Sequence, residues 1–196
     1  MANVNGNKFG LTCLFPILAG GEYTAELRRV LRAMDRNEVY GSPLSKVNKV
    51  HMARFAIIDA LAYQGLPAKH DSLISDYLLF MCDFDGSRVD TLVAAMVDEI
   101  GEKMDEIWTC CVAYPGRASK DRLTAYFEQC QLETNLFLAD RPNDRVETIL
   151  RALMYKRDFA KFVETYQADP TADPQAAFQA MWARLKNQPD PKPGSL

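Results

Sequence analysis

The stretch Tyr77-Leu78-Leu79-Phe80-Met81-Cys82-Asp83-Phe84-Asp85-Gly86 decides the fold. Its first six residues are an unbroken apolar run, the pattern of a central strand buried on both faces. Asp83 to Gly86 ends that strand. A helix follows, because Val89, Leu92, Val93, Met96, Val97, Ile100 and Met104 recur at the helical period. Ser87 is placed to cap it, with Asp90 as the distal half of a capping-box-like pattern.

Toward the N-terminus, Leu11-Thr12-Cys13-Leu14-Phe15-Pro16-Ile17 reads as a strand. Pro16 has no N–H to give a ladder, so it belongs at a strand end or an edge. Gly20-Gly21 breaks the chain. Leu27, Val30, Leu31 and Met34 then mark one face of a helix. Residues 37–50 are polar and carry Gly41 and Pro43, a loop signature. Met52–Asp59 is the second strand, and 60–75 is a connection with one helical turn.

Toward the C-terminus, Trp108–Tyr114 reads as a short strand before the turn at Tyr114-Pro115-Gly116. Leu123, Tyr126, Phe127 and Cys130 mark a helix over 120–131. Thr134–Ala139 is a strand candidate closed by Arg141-Pro142. Val146, Ile149, Leu150, Leu153 and Met154 open a helix that runs to about Tyr166. Asp173 and Pro174 are a good N-cap and first helical residue. Phe178, Met181, Trp182 and Leu185 form the apolar stripe of that last helix.

The chain of 196 residues carries 23 Lys and Arg against 26 Asp and Glu, a net charge of -3. The basic residues are scattered, so no clustered surface for nucleic acid is expected. No apolar run is long enough to span a membrane. Lys8 followed by Phe9–Leu18 imitates a signal peptide, but Thr12 and Pro16 interrupt it, and a first buried strand is the better reading. The five cysteines contain no Cys-x-x-Cys pair, and Cys13, Cys82 and Cys130 sit in apolar patterns. They read as reduced, buried thiols of a cytoplasmic protein. Adjacent Cys110 and Cys111 would point to opposite faces of a strand, a poor chelate.

The first five elements and a later strand give the order β-α-β-β-α-β, an α+β class with an antiparallel sheet and helices on one face. The strands "LTCLFPI", "HMARFAIID" and "YLLFMCDFDG" together resemble the ferredoxin-like dimeric α/β-barrel superfamily, over roughly residues 9–140. Residues 1–167 are expected to form that domain with an inserted helix. Residues 168–187 would be a linker and docking helix, and 188–196 a disordered tail. The strands are apolar on both faces, so a second copy is expected to cover the open face, giving a homodimer.

The resemblance implies a small apolar or aromatic ligand and oxidative chemistry of the monooxygenase or peroxidase kind. The alternative is a non-catalytic interaction or ligand-binding module. Candidate site residues are His51, Arg54, Asp83 and Asp85, which would supply proton transfer and anion binding. His51 opens the second strand; Arg54 projects to the other face unless the strand start bulges. Asp83 and Asp85, close together, would push one pKa upward; the competing role is a turn and helix start. Asp85-Gly86 also resembles the Gly-x-x-Asp-Gly motif of dye-decolorising peroxidases. That similarity implies haem, with Asp85 as the distal acid. Cys82 stands where the motif's first Gly would be, and no His follows His70. With only two histidines, multi-histidine metal chemistry is not expected.

Overall fold

The computed structural model describes residues 3–36, 42–63, 65–67, 72–168, 173–192 and 195. His70 and Asp71 lie outside the described residues. The elements are β1 (Val4–Asn5), β2 (Lys8–Pro16), α1 (Gly21–Arg36), β3 (Val50–Ile58), β4 (Tyr77–Asp85), α2 (Val89–Trp108), α3 (Lys120–Gln129), α4 (Val146–Ala168) and α5 (Pro174–Lys186). A 3-10 turn, Pro43–Lys46, falls inside the expected 37–50 loop. The class is α+β, with one four-stranded sheet in the order β1-β2-β4-β3 and every neighbouring pair antiparallel.

Strand β4 is central and runs to Asp85, three residues past the expected end. Alternation explains the extension. Leu78, Phe80, Cys82 and Phe84 are all buried on one face, so Asp83 and Asp85 are strand residues on the other rather than a turn. Gly86, with φ +155, makes the bend instead. On β2 the matching inner residues are Phe9, Leu11, Cys13 and Phe15. Leu27 and Val30 of α1, Leu92, Val93 and Met96 of α2, and Leu123 and Phe127 of α3 belong to the same buried cluster. These three helices therefore pack on the inner face.

An aromatic nucleus holds that layer together. Trp108 lies 5.5 Å from Phe80, 5.8 Å from Phe15, 5.8 Å from Phe55 and 5.2 Å from Phe127, measured between ring centres. Burying each such side chain contributes about 1.5–3 kcal/mol.

Several expectations are corrected. Trp108 ends α2 instead of opening a strand, and 109–113 is a turn held by one bridge, Ile17 to Cys111. The packing around the Trp108 ring explains this, because the helix must run to its end to deliver the indole to the core. Ser87 does not cap α2; Arg88 occupies that position without a side-chain bond. Among the described residues of 60–75 there is no helical turn. Thr134–Ala139 is not a strand. Phe137 lies across the outer face of β2 instead, its ring 2.6 Å from where a Gly10 Cβ would stand. Only a residue without a side chain lets the ring come so close.

The outer face divides into two parts. At one end Phe137 and the start of α4 lie over Lys8, Gly10 and Asp85. Along the rest, Leu14, Ala56, Ile58, Leu79 and Met81 are half-buried, and Met52 is exposed. Helix α4 packs against α5 through Met154, Met181 and Leu185. Asp173 caps α5 by accepting from the Gln175 N–H at 2.9 Å.

No described helix is long and apolar enough to cross a membrane. All five cysteines are free, four of them buried. Burial pushes the Cys111 thiol up to about 12 and raises those of Cys13 and Cys82 further.

Candidate functional site

The outer-face residues converge at the end of the sheet where β2 begins and β4 finishes. Lys8 and Asp85 are cross-strand partners on β2 and β4. Their neighbour on the other side is β3, whose register slips between Val50 and Met52. The extra residue in that bulge is His51. A bulge re-aims a side chain that regular alternation would send elsewhere. Here it delivers the imidazole to Asp85, with His51 Nε2 2.7 Å from Asp85 Oδ1. The two side chains are only 16% and 14% exposed.

Lys8, itself 5% exposed, completes the cluster. Its Nζ lies 2.7 Å from His51 Nε2 and 3.3 Å from Nδ1, and donates to the Asp144 carbonyl at 2.7 Å. The other carboxylate oxygen of Asp85 accepts the Val146 N–H at 2.8 Å. Asp85 therefore satisfies one of the orphan donors at the start of α4 while holding the imidazole.

One consequence follows from the chemistry of imidazole. Nε2 has a single position for either a proton or a lone pair. It can donate to Asp85 or accept from the Lys8 ammonium, but not both. When Nε2 donates, Nδ1 is left to accept from Lys8. The ring thus sits between a cation and a carboxylate with two proton arrangements available, which is the equipment of a proton relay.

The other two sequence candidates stand differently. Asp83 shares the outer face with Asp85, and burial raises its carboxyl above the ordinary value, opposed by the charges of His51 and Lys8. The cause is desolvation and not repulsion from Asp85, contrary to the paired-carboxylate expectation. Arg54 does not join the cluster. It is exposed on the outer face, where it donates to the Met81 sulfur at 3.2 Å.

Two clefts flank the His51–Asp85 contact. One, of about 610 Å³, is lined by Asn7, Lys49, Asp85, Arg145, Glu147 and Asp190 among others. The second, of about 350 Å³, is lined by Leu44, Val50, His51, Val146, Ile149 and Leu150 among others. Leu150 belongs to both. By residue type the first is lined mostly by polar and charged side chains and the second mostly by apolar ones, and each falls in the size range of small-molecule sites.

Haem does not fit these residues. Of the described residues His51 alone is a histidine, and its ring is held by Lys8 and Asp85. Neither nitrogen faces an open coordination position. Asp85, the distal acid implied by the peroxidase resemblance, is already bonded to His51 and to Val146. No group of His, Cys, Asp and Glu among the described residues is arranged to hold a metal ion.

Lys8 escaped the sequence reading. The period-two pattern Phe9, Leu11, Cys13, Phe15 extends the first strand back past Leu11 and puts Lys8 in its register, a signal that was present. The contributions of Asp144 and Val146 are main-chain groups, 136 positions from Lys8 and 61 from Asp85, and have no sequence signal. No protein-family model, no curated protein and no solved structure matches the chain.

Proposed function

We propose that the chain is a small-molecule-binding protein built on a ferredoxin-like, dimeric α/β-barrel core, with its ligand at the end of the sheet beside His51 and Asp85. One observation carries the ligand reading: the His51–Asp85 pair stands between a polar and an apolar cleft. Polar groups that converge at the wall of a concave site are the usual mark of a binding or catalytic centre. If the chain turns over its ligand, His51 is the group that takes or gives the proton. Lys8 and Asp85 set which nitrogen carries it. An oxidative reaction of the monooxygenase kind would use the same pair for proton transfer.

The order β2-β4-β3 with the intervening helices α1 and α2 supports the ferredoxin-like core. Its fourth strand is reduced to a short pairing in which Leu14 N–H donates to the Cys130 carbonyl and Leu132 N–H to the Thr12 carbonyl. The half-buried apolar part of the outer face supports a two-fold dimer closed through that face.

A second reading rests on the α4–α5 hairpin. Phe159, Phe178 and Trp182 there are 49%, 41% and 38% exposed, a surface suited to binding another protein. The test is a ligand-observed NMR screen of small organic fragments on the natural chain and on His51→Gln. Fragments that bind the first and lose affinity for the second support the ligand site. Fragments that bind both equally place recognition elsewhere.

A further inference from the structure

The two clefts differ in chemistry, and the difference specifies the ligand. The smaller is walled by Leu44, Val50, Val146, Ile149 and Leu150, with His51 at its edge. The larger holds Lys49, Arg145 and Lys192 opposite the acids Asp85, Glu147 and Asp190. Two of those acids are engaged. Asp85 holds His51 and the Val146 N–H. Asp190 forms a bidentate pair with Arg151, and Glu147 is the one acid of this cleft without an ion-pair partner among the described residues. Lys49, Arg145 and Lys192 have no carboxylate within salt-bridge distance among the described residues. The positive end of α4 opens at the same place, since Arg145 and Glu147 flank its first residue.

Lys49 adjoins Val50 and Arg145 adjoins Val146, so the cations and the apolar wall come from the starts of the same two elements. A molecule lying across them meets apolar groups at one end and, at the other, three unpaired cations (Lys49, Arg145 and Lys192) against the single unpaired carboxylate of Glu147 among the described residues. We infer that the ligand is an amphipathic organic acid, with its apolar body in the smaller cleft and its acid group against Lys49 and Arg145. This rests on the ligand site proposed above and narrows it to one chemical class.

The probes are octanoate, octan-1-ol and octylammonium, which share a chain and differ in charge. Calorimetric titration of the full chain is expected to show octanoate binding at least about tenfold more tightly than the alcohol, with octylammonium weakest. In the Lys49→Ala/Arg145→Ala variant, Arg145 being exposed and Lys49 half-buried, octanoate falls to the affinity of the alcohol and the alcohol is unchanged. Equal binding of acid and alcohol overturns the inference, as does an acid preference that survives the double substitution. Absence of binding by all three probes also overturns it. If the fragment screen still finds ligands sensitive to His51→Gln, the acid class alone is rejected and the site stands. If that screen is blank too, both fall.

Discussion

His51 Nε2 lies 2.7 Å from both Asp85 Oδ1 and Lys8 Nζ, so one ring nitrogen is claimed by a carboxylate and by an ammonium. The arrangement depends on the bulge at the start of β3. Without it, alternation would carry the imidazole away from Asp85.

Asp85→Ala is expected to destabilise the chain by roughly 3 kcal/mol in urea unfolding. It strips the partner from a half-buried imidazole beside a buried ammonium and leaves the Val146 N–H without an acceptor. Asp85→Asn keeps an oxygen for Val146 and should recover about 1 kcal/mol of that loss. Equal costs for the two substitutions would show that the tie to α4 contributes nothing.

Gly10→Ala should cost about 1–3 kcal/mol, because its Cβ would stand 2.6 Å from a ring carbon of Phe137. The effect should largely vanish in the background of Phe137→Ala, a strong non-additivity in a double-mutant cycle. Additive costs would place Phe137 away from the outer face.

Asp83 gives a pH signature. Burial holds its carboxyl above the ordinary value in the folded chain, so the native state binds that proton more tightly than the unfolded state. Its contribution to stability is full below the ordinary carboxylate value and is lost as pH rises through the raised one. Asp83→Asn should therefore raise Tm near neutral pH, with a gain that shrinks as the solution is acidified through that window. A gain that grows on acidification would reverse the assignment.

The thiols should be nearly inert. Burial raises the pKa of all five cysteines; four are buried and Cys130 is half-buried. A thiol reagent should label at most Cys130 in the folded chain over a time in which the unfolded chain reacts at all five positions. Rapid labelling of the folded chain at several cysteines would show that the core opens easily.

Association is tested by light scattering. The proposed dimer gives a mass twice 22.1 kDa, and Met81→Asp on the half-buried apolar part of the outer face should return it to 22.1 kDa. A natural chain that scatters as 22.1 kDa at high concentration contradicts the dimer.

The inner layer was legible because period carries it. Leu27, Val30, Leu92, Val93, Met96 and Phe127 fall on the helix faces that their spacing indicates. Strand limits were less legible where polar residues alternate with core ones, so Lys8, Asp83 and Asp85 were cut from their strands. His51 and Asp85 were legible as residues of interest, but their contact was not, since it is made by a bulge and a register that pattern does not encode. Thr134–Ala139 misled for a different reason. Its apolar run Leu136–Ala139 is real, but Phe137 is used to cover Gly10, and Leu136 and Leu138 are left exposed.

The central claim is that a small molecule binds against His51. The most direct measurement is the imidazole Cε1–H resonance of His51 during titration with the tightest binder from the fragment screen, assigned by its loss in His51→Gln. There are only two histidines, so the signal is unambiguous. The account predicts that the His51 signal shifts with the occupancy of the binder. A saturating ligand that leaves the His51 resonance unmoved would contradict it.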